Sequence, residues 1–334
     1  MADLKVGIIG CGGHAQGHFR MVADEPRLHL AAIAELDDKR RAENQDRWQP
    51  EQNFADYRQM LDVCDLDVVY ICTMPGHIVS IVHDCLERGL HTSVEKPPGM
   101  SAAETENMAA AAGQSSGKNM VSFNRRYFPQ VLAVRRMIQE RGGAVHCAAT
   151  YNKPYAQIGT KAWAAITPAP IICDAIHHVD LLRWLAGTGP TVAAKPSAVY
   201  SEVQDGAREA AHRHNAVIHF DSGAIAVMMS HYGVGARIQR AEVHAEDFSA
   251  YFDLTSGPLC ELYQAEDLGP DQNARGGLWE GELDLEPTGG PDFNETRHFV
   301  DCILQDQTPW STLDDAAHTM HLCEAIRRGH KGVL

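Results

Sequence analysis

The first third of the chain alternates short apolar runs with stretches of helical period. From residue 4 to about residue 122, strand-like runs such as LKVGIIG, LHLAAIAE, DVVYICT and LHTSVEK are separated by helix-like stretches such as QGHFRMVADE and HIVSIVHDCLERG. Ser101, three residues before Glu104, has the pattern of a helix N-cap. Single helices between consecutive strands require parallel crossovers, so the pattern predicts a doubly wound α/β domain over residues 1–122.

Beyond residue 140 the pattern changes to longer strand-like runs joined by turns. They include AVHCAATYN, NAVIHFDSGAIAVMMSHY and RAEVHAEDFSAYFDLTSG, and Asp221-Ser222-Gly223 predicts a hairpin turn inside the second of them. We therefore predict an α+β domain over residues 123–334, with a large, mostly antiparallel sheet. A sheet face bare of helices would expose apolar surface, which predicts a homodimer or homotetramer packed through these sheets.

Length, charge and cysteine content narrow the class of protein. The 334 residues exceed one comfortable hydrophobic core, in agreement with two domains. A net charge of -15 disfavours nucleic acid and anionic membranes as partners. No basic N-terminal region precedes a long apolar run, and no run reaches the roughly eighteen residues of a membrane span, so we predict a cytoplasmic protein. The nine cysteines contain no CxxC pair, which predicts neither a disulfide framework nor a metal site.

A glycine-rich turn follows the first predicted strand. In VGIIGCGGHA, Gly10, Gly12 and Ala15 have GxGxxA spacing between a strand and a helix. Gly10 allows the tight turn, Gly12 lets the backbone approach a pyrophosphate, and Ala15 lets helix and strand pack closely. The N–H groups at the helix start, at Gly13 and His14, would then face the phosphates. This context predicts a Rossmann-type dinucleotide site, although GxGxxA alone is weak evidence.

Glu35 lies at the end of the second predicted strand, twenty residues after Ala15. A carboxylate there can accept hydrogen bonds from the ribose hydroxyls of NAD and would repel the additional phosphate of NADP. The alternative is a strand-end glutamate in solvent. Leu36 follows, rather than an arginine or serine, and no cation is apparent beside the carboxylate. NAD is therefore favoured over NADP.

Two later strand ends are candidates for the same crevice. YICTMPGH places Thr73 and Pro75 just after a strand, where the nicotinamide ribose is expected, although a simple Pro-Gly turn would look the same. VEKPPGM ends the next strand at Glu95 and Lys96, and the two prolines that follow fix the chain direction. A surface lysine paired with Glu95 is the alternative to a positioned one.

These motifs, together with FNRRYFP and IHHVDLLRWLAG, resemble the Gfo/Idh/MocA oxidoreductases, grouped with glucose-fructose oxidoreductase and inositol dehydrogenase, over nearly the whole chain. The resemblance implies an NAD-dependent dehydrogenase that acts on a secondary hydroxyl of a sugar, polyol or related small molecule. It also implies that Lys96 hydrogen-bonds the substrate hydroxyl beside the nicotinamide, where a cation would stabilise developing alkoxide charge. A non-catalytic nucleotide-binding sensor or regulator of the same fold is the alternative.

The segment CDAIHHVD supplies candidate proton acceptors. Apolar residues at helical spacing predict a helix whose opposite face carries Cys173, Asp174, His177, His178 and Asp180. Histidine suits a general base because its pKa lies near neutrality. His177 keeps the H-x-x-D spacing to Asp180, but leaves Cys173 where the family commonly has an aspartate. His178 recovers Asp174 four residues earlier but shifts the apolar stripe, which favours His177.

Three further residues are candidates for contacts with substrate. Arg125 and Arg126 in FNRRYFP could bind a carboxylate or hydroxyl of the substrate, or could form salt bridges at a domain interface. Trp163 could stack on a sugar ring or pack in a core. Cys173 and the segment ITPAPIIC, which replaces the glycine-rich approach common in the family, would alter the floor of the substrate pocket.

Overall fold

The computed structural model describes residues 3–154, 170–206, 212–257, 259–265, 277–279 and 281–334. Trp163 lies outside the described residues. The chain forms two compact units: Met1–Phe123 with Asn294–Ala317, and Asn124–Phe293 with His318–Leu334. No sequence pattern indicated the return of 294–317 to the first unit, and the division after residue 122 stays a prediction. No described helix is both long and apolar enough to cross a membrane.

The first unit contains a six-stranded parallel sheet. Its strands are β1 (Leu4–Ile9), β2 (Leu28–Ala34), β3 (Gln52–Phe54), β4 (Val68–Ile71), β5 (His91–Val94) and β6 (Asn119–Val121). They lie in the order β3-β2-β1-β4-β5-β6, and each neighbouring pair is parallel. The predicted doubly wound sheet is confirmed. Since the order reverses beside β1, the ligand crevice of such a sheet lies at the carboxyl ends of β1 and β4.

Helices connect these strands, and side chains cap several of them. The helices are α1 (Ala15–Asp24), α2 (Asp38–Trp48), α3 (Tyr57–Val63), α4 (Pro75–Glu87), α5 (Ala102–Ala112) and, after the return of the chain, α8 (Glu295–Leu304). Ser101 Oγ accepts a hydrogen bond from Glu104 N, which confirms the predicted cap of α5. Pro75 is the first residue of α4, where its fixed φ suits a helix start, so the stretch is not a simple Pro-Gly turn.

The second unit contains a nine-stranded sheet. Its strands are β7 (His146–Lys153), β8 (Pro196–Gln204), β9 (Arg213–Phe220), β10 (Ile225–Tyr232), β11 (Ile238–Ala245), β12 (Phe248–Asp253), β13 (Leu259–Gln264), β14 (Gly277–Leu278) and β15 (Lys331–Val333). They lie in the order β14-β13-β12-β11-β7-β10-β9-β8-β15. β7 and β10 pair in parallel, and the other neighbours pair antiparallel. The mostly antiparallel sheet and the hairpin between β9 and β10 are confirmed.

The helical elements of this unit lead to and from the sheet. They are a 3-10 turn (Asn124–Tyr127), α6 (Pro129–Gln139), a π-helical turn (Ile171–Ala175) that continues into α7 (Ile176–Ala186), and a second 3-10 turn (Glu286–Thr288). The last helix, α9 (Leu313–Arg327), contains the final division between the units. α7 packs against β7 and β10, so this helix and one face of the sheet share a core.

Candidate active site

The glycine-rich turn after β1 has the geometry that a dinucleotide requires. Gly10 has φ 85°, and a Cβ there would lie 2.7 Å from the carbonyl oxygen of Cys72, so a larger residue does not fit. A Cβ on Gly12 or Gly13 would meet no atom within 4 Å. The turn is therefore closed towards β4 and open on the side where a pyrophosphate would approach the helix start at Ala15.

Glu35 is buried against this turn rather than exposed. Only 8% of its surface is accessible, and its Oε2 accepts a hydrogen bond from Cys11 N at 2.8 Å. Its Oε1 accepts from Asp37 N at 3.0 Å and lies 3.3 Å from Arg40 Nη1. The solvent-exposed alternative and the expectation of no nearby cation are both wrong. A carboxylate has about four acceptor positions, so it retains capacity for a ribose hydroxyl.

A cavity of about 250 Å³ adjoins the turn. Its lining residues are Cys11, Gly12, Gly13, Gln16, Arg40, Glu43, Asn44 and Arg47. Gln16 Nε2 donates to Asn44 Oδ1 at 2.9 Å, which links α1 to α2 across the cavity. Glycine backbone on one side and two guanidinium groups on the other suit the phosphate and ribose portion of a nucleotide. His14 is exposed at the start of α1.

The next strand ends carry the other predicted cofactor residues. Thr73 follows β4, and its Oγ1 is buried without a hydrogen-bond partner among the described residues. An unsatisfied buried hydroxyl at this edge suits a ligand that completes it. Glu95 and Lys96 follow β5, both are partly exposed, and the peptide bond from Lys96 to Pro97 is cis. Thr73 and Lys96 thus follow two adjacent strands, at the same edge of the sheet as Gly10, which follows β1.

Glu95 belongs to a buried network that the sequence did not reveal. Its Oε1 lies 3.1 Å from Nε2 of His18, which is 2% exposed. Glu295 of α8 is also buried and accepts a hydrogen bond from Ser122 Oγ. Burial raises the pKa of Glu295 to about 7, and the charge of Glu95 acts in the same direction. Burial lowers the pKa of His18, but the hydrogen bond to Glu95 and the nearby carboxylates leave it raised overall.

The helix that carries the candidate bases is buried almost all round. His178 and Asp180 are at most 1% exposed, and Cys173 is 8% exposed. The face opposite the apolar stripe is therefore buried at these three residues. Only Asp174 and His177 of the five candidates remain partly exposed. His177 is thus the histidine that a ligand can reach, as the position of the apolar stripe favours.

Asp174 lies in the π-helical turn and is held by β7. Tyr151 OH donates to its Oδ1 at 2.9 Å, and Lys153 Nζ forms an ion pair with its Oδ2. Tyr151 and Lys153 are two residues apart, so they lie on the same face of the strand. Burial and the Asp174 charge raise the pKa of Tyr151, which stays a hydrogen-bond donor. Asp174 is therefore fixed towards the sheet. Single-turn π-helical segments frequently lie at functional sites.

His178 and Arg125 form a second contact, next to the Tyr151 ring whose hydroxyl binds Asp174. Arg125 Nη1 lies 2.9 Å from His178 Nε2, and its Nη2 donates to Gln239 Oε1. The His178 ring packs edge-on against Tyr151, with centroids 5.1 Å apart. Burial and the Arg125 charge hold the pKa of His178 well below its usual range, so this imidazole is neutral. A buried, neutral histidine against an arginine is poorly placed to accept a proton.

Arg126 and Asp180 form a separate buried ion pair. Arg126 Nε donates to Asp180 Oδ2 at 2.7 Å, and its Nη2 donates to Oδ1. Thr319 Oγ1 also donates to Asp180, at 2.9 Å. Both charged side chains are at most 1% exposed. These surroundings favour a structural role for the pair, although both residues were candidates for the reaction or the substrate.

Sequence reasoning missed the side chains supplied by strands and by the returning segment. Tyr151, Lys153 and Gln239 reach the site from β7 and β11, where Tyr151 and Gln239 are directly opposite each other. Their only sequence signal is the i, i+2 spacing of Tyr151 and Lys153 at the end of a strand-like run. His18 repeats after His14 in GHAQGH, but its partner Glu95 is 77 residues away.

Comparison with known proteins identifies the family. The sequence profile of the Gfo/Idh/MocA oxidoreductases, described as an oxidoreductase family with an NAD-binding Rossmann fold, matches residues 4–123. The first unit, over residues 4–123, therefore matches the Gfo/Idh/MocA family and is an NAD-binding Rossmann domain.

Characterised and uncharacterised relatives match this chain at modest identity. The oxidoreductase YrbE of Bacillus subtilis is 27% identical over 81% of this chain and 80% of its own length. Inositol 2-dehydrogenase of Paracoccus denitrificans is 29% identical, over 54% of each chain, so only about half of that relative is matched. D-apiose dehydrogenase of Paraburkholderia graminis is 23% identical over 96% of this chain and 86% of its own length.

Solved structures share the complete two-unit fold. Levoglucosan dehydrogenase in complex with NADH superposes with a TM-score of 0.82 at 20% identity, over 99% of both chains. UDP-N-acetylglucosamine 3-dehydrogenase from Acidithiobacillus ferrooxidans superposes with a TM-score of 0.79 at 18% identity, over 99% of this chain and 98% of its own. At these identities the likeness establishes the fold alone.

Proposed function

We propose that this protein is an NAD-dependent dehydrogenase that oxidises a secondary hydroxyl of a sugar, a polyol or a related small molecule. The observation that carries the proposal is Lys96, which follows β5 in an NAD-binding sheet, at the edge where β1 and β4 also end. Relatives named inositol 2-dehydrogenase and D-apiose dehydrogenase support the substrate class by their names.

Each residue has a defined role in this reaction. NAD, when held by the first unit, would supply the acceptor for the hydride that leaves the hydroxyl carbon. Lys96 donates a hydrogen bond to the substrate oxygen and stabilises the negative charge that develops on it. His177, partly exposed on α7, accepts the hydroxyl proton. One C–H and one O–H bond break, and the carbon becomes a carbonyl. Asp174, held by Tyr151 and Lys153, fixes the turn that leads into His177.

The test is NADH formation on a panel of sugars and polyols, with Lys96→Ala as the key variant. We expect kcat to fall by about 10² or more while NAD affinity stays within a few-fold, because the lost contact is made to the reacting atoms. Lys118→Ala is the control, since Lys118 lies in the same unit and pairs with the exposed Asp306.

Two outcomes would contradict the proposal. Loss of NAD binding with unchanged kcat would show that Lys96 only holds the cofactor. NAD binding by the unmodified protein without turnover of any panel member would favour the regulator over the enzyme. A cytoplasmic location stays a prediction, to be measured by cell fractionation.

We also propose that the protein associates with a second copy of itself through the bare face of the nine-stranded sheet. Tyr200, Val217, Val227 and Ala148 are successive partners on β8, β9, β10 and β7, and they form an apolar row on the face opposite α7. Tyr200 and Val217 are 50% and 39% exposed. Two copies related by a two-fold axis would present the same row to each other.

Sedimentation of the unmodified protein at micromolar concentration should give a dimer or tetramer. Val217→Lys should shift it towards the monomer, because a charge would be buried in the apolar row. Val63→Lys, on an exposed residue of the first unit, should leave the assembly unchanged. A monomeric unmodified protein would refute the association.

A further inference from the structure

Positive charge accumulates around Asp174 in the second unit. Lys153 forms an ion pair with Asp174, and the charges of Arg125 and Arg237 act on the same Tyr151 hydroxyl that Asp174 binds. His178 and Tyr151 are uncharged, for the reasons given above. The charges of Lys153 and Arg125 thus both act on the Asp174 carboxylate, and Arg237 acts on its hydrogen-bond partner Tyr151. This excess is local, because the chain as a whole has a charge of -15 and would otherwise repel a small anion.

Arg125 is the cation of this cluster that makes no ion pair or hydrogen bond with a carboxylate among the described residues. Its guanidinium contacts the neutral His178 ring and the amide oxygen of Gln239 and lies 5.8 Å from the centroid of the Tyr151 ring, and the Asp174 charge acts on it without a direct contact. It is 8% exposed, and burial lowers its pKa to about 10, with Arg237 acting in the same direction. It remains charged at neutral pH. A buried cation without a counter-charge costs free energy.

The other buried arginines of the unit are matched differently. Arg126 makes its two-point pair with Asp180, Arg183 donates to the Ala194 carbonyl oxygen and to Thr319, and Arg135 donates to the carbonyl oxygens of Gly189, Pro190 and Val192. Arg125 has a single oxygen acceptor. Arg125 and Arg126 are adjacent in the same 3-10 turn. Arg126 is hydrogen-bonded to a carboxylate, whereas Arg125 is not.

The segment that precedes the π-helical turn contains no acidic residue. Residues 155–169, whose structure is not described, contain Lys161 and no aspartate or glutamate. The cluster is also open to ligand, because the side chains of Lys153 and Asp174 are 13% and 14% exposed. His177, the proposed base, is adjacent in the chain to His178. An anion that completes this cluster would therefore come from a molecule bound beside His177.

We infer that the substrate carries a carboxylate, which Arg125 and Lys153 bind, so that the protein oxidises a hydroxyl of an acidic sugar or polyol derivative. This inference rests on the proposed function. The carboxylate takes no part in the bond changes. It orients the molecule, because a guanidinium recognises the two oxygens of a carboxylate with a fixed geometry.

Matched pairs of probes test the inference. D-gluconate and D-glucitol have the same carbon chain and differ in the terminal carboxylate, and D-galacturonate and D-galactose form a second pair. Binding of each to the protein with bound NADH is measured by calorimetry, and NADH formation from NAD is measured separately. We expect at least one carboxylate to bind about tenfold to a hundredfold more tightly than its neutral partner, the range of a charged hydrogen bond.

Variants test which residue causes the preference for the carboxylate probes. Arg125→Met should bring the carboxylate and neutral probes within a few-fold of each other, while Arg125→Lys should retain part of the preference. Arg240→Met, on an exposed arginine of the open sheet face, should retain all of it. Thermal unfolding and NADH binding of each variant establish that it is folded. Arg125→Lys keeps the test valid if Arg125→Met does not fold.

The outcomes separate this inference from the proposed function. Equal or tighter binding of the neutral partner in both pairs overturns the inference, and so does an undiminished preference in Arg125→Met. NADH formation from neutral probes at equal efficiency overturns the inference but supports the dehydrogenase. Tight carboxylate binding without any NADH formation supports the carboxylate site and counts against the dehydrogenase. Tighter binding of D-glucose 6-phosphate than of any carboxylate would assign the cluster to phosphate and overturn the inference.

Discussion

The two units bury charge of opposite sign. Among the described residues of the first unit, the buried acidic side chains are Glu25, Glu35 and Glu295. No described arginine or lysine of this unit is buried. The described part of the second unit buries four arginines and one acid, namely Arg125, Arg126, Arg135, Arg183 and Asp180. The first unit therefore buries acidic side chains and the second buries mainly basic ones, although both belong to one strongly acidic chain.

The contrast reflects the partners that each unit supplies. Glu35 is held by two backbone N–H groups close to it in the fold, and Glu295 by the hydroxyl of Ser122. The arginines of the second unit need acceptors from elements far away in sequence, as Arg126 finds in Asp180. The backbone partners of Glu35 lie within one β-α-β unit, so a motif can define the first site, whereas Glu295 finds its partner 173 residues away. Long-range partners mean that the second site exists only in the folded sheet and helix.

The largest effect should separate the exposed from the buried histidine of the second unit. His177→Ala should lower kcat by about 10² to 10⁴, the range of a lost general base. His178→Ala should lower kcat less than tenfold, because a neutral histidine against Arg125 accepts no proton in the reaction. Both are measured on one substrate at saturating NAD. A larger loss for His178 would reverse the assignment of the base.

Removing one partner of the Arg126–Asp180 ion pair should reduce the stability of the fold rather than the catalytic rate. Arg126→Ala leaves the Asp180 carboxylate buried without its partner, and we expect a loss of about 3 to 5 kcal/mol in the free energy of unfolding. Urea unfolding measures it. The double variant Arg126→Met, Asp180→Leu removes both charges and should recover much of the loss. An unchanged midpoint in Arg126→Ala would show that the pair does not stabilise the fold.

The buried acid of the first unit predicts the pH dependence of stability. The pKa of Glu295 is raised from 4.5 to about 7, so the folded protein holds this proton more tightly than the unfolded chain does. Its contribution is complete below pH 4.5 and is lost as the pH rises to about 7. His18, whose pKa is also raised, acts in the same direction. Glu95, whose pKa is lowered, acts in the opposite direction, since its contribution is present above its ordinary pKa of 4.5 and is lost as the pH falls below it.

Glu295→Gln tests this assignment. The free energy of unfolding of the unmodified protein should decrease between about pH 5 and pH 7, and the variant should show a shallower decrease because a side-chain amide does not titrate. Identical slopes for the two proteins would show that Glu295 does not hold the proton in this range.

The smallest expected effect concerns the cofactor and the cation beside Glu35. NAD should bind at least about tenfold more tightly than NADP, about 1.4 kcal/mol, because a 2'-phosphate would approach the Glu35 carboxylate. Glu35→Ala should narrow that preference. Arg40→Ala should widen it, since the guanidinium 3.3 Å from Glu35 is the nearest partner for a phosphate. Preference of the unmodified protein for NADP would show that Glu35 does not bind the ribose.

The sequence predicted the first site better than the second for the same physical reason. Gly10, Gly12 and Glu35 follow one another within a single β-α-β unit, so their spacing alone placed them at one sheet edge. Arg40 is the cation beside Glu35 that sequence reasoning missed. It lies in the first turn of α2, where no strand-end motif indicates it. The strand and helix pattern was sufficient to predict both sheets, because apolar periodicity reports burial directly.

The second site depended on pairings that no local pattern contains. The polar side of α7 is buried because Arg125 and Arg126, from another element, contact His178 and Asp180. A buried side chain with a satisfied charge looks the same in the sequence as a solvated one. Gln239 likewise became part of the site only through the register of β11 with β7.

The return of residues 294–317 to the first unit has a consequence for the order of events during synthesis. Edge strand β6 is closed by Ser311, whose carbonyl oxygen accepts from Val121 N at 2.7 Å, and Glu295 binds Ser122. A ribosome delivers these residues only after the whole intervening unit. Until then the nascent sheet has an unpaired edge, which is prone to pair with other chains. We expect stalled nascent chains to gain NAD binding only after residue 317 has emerged, long after the six strands of this sheet have been synthesised.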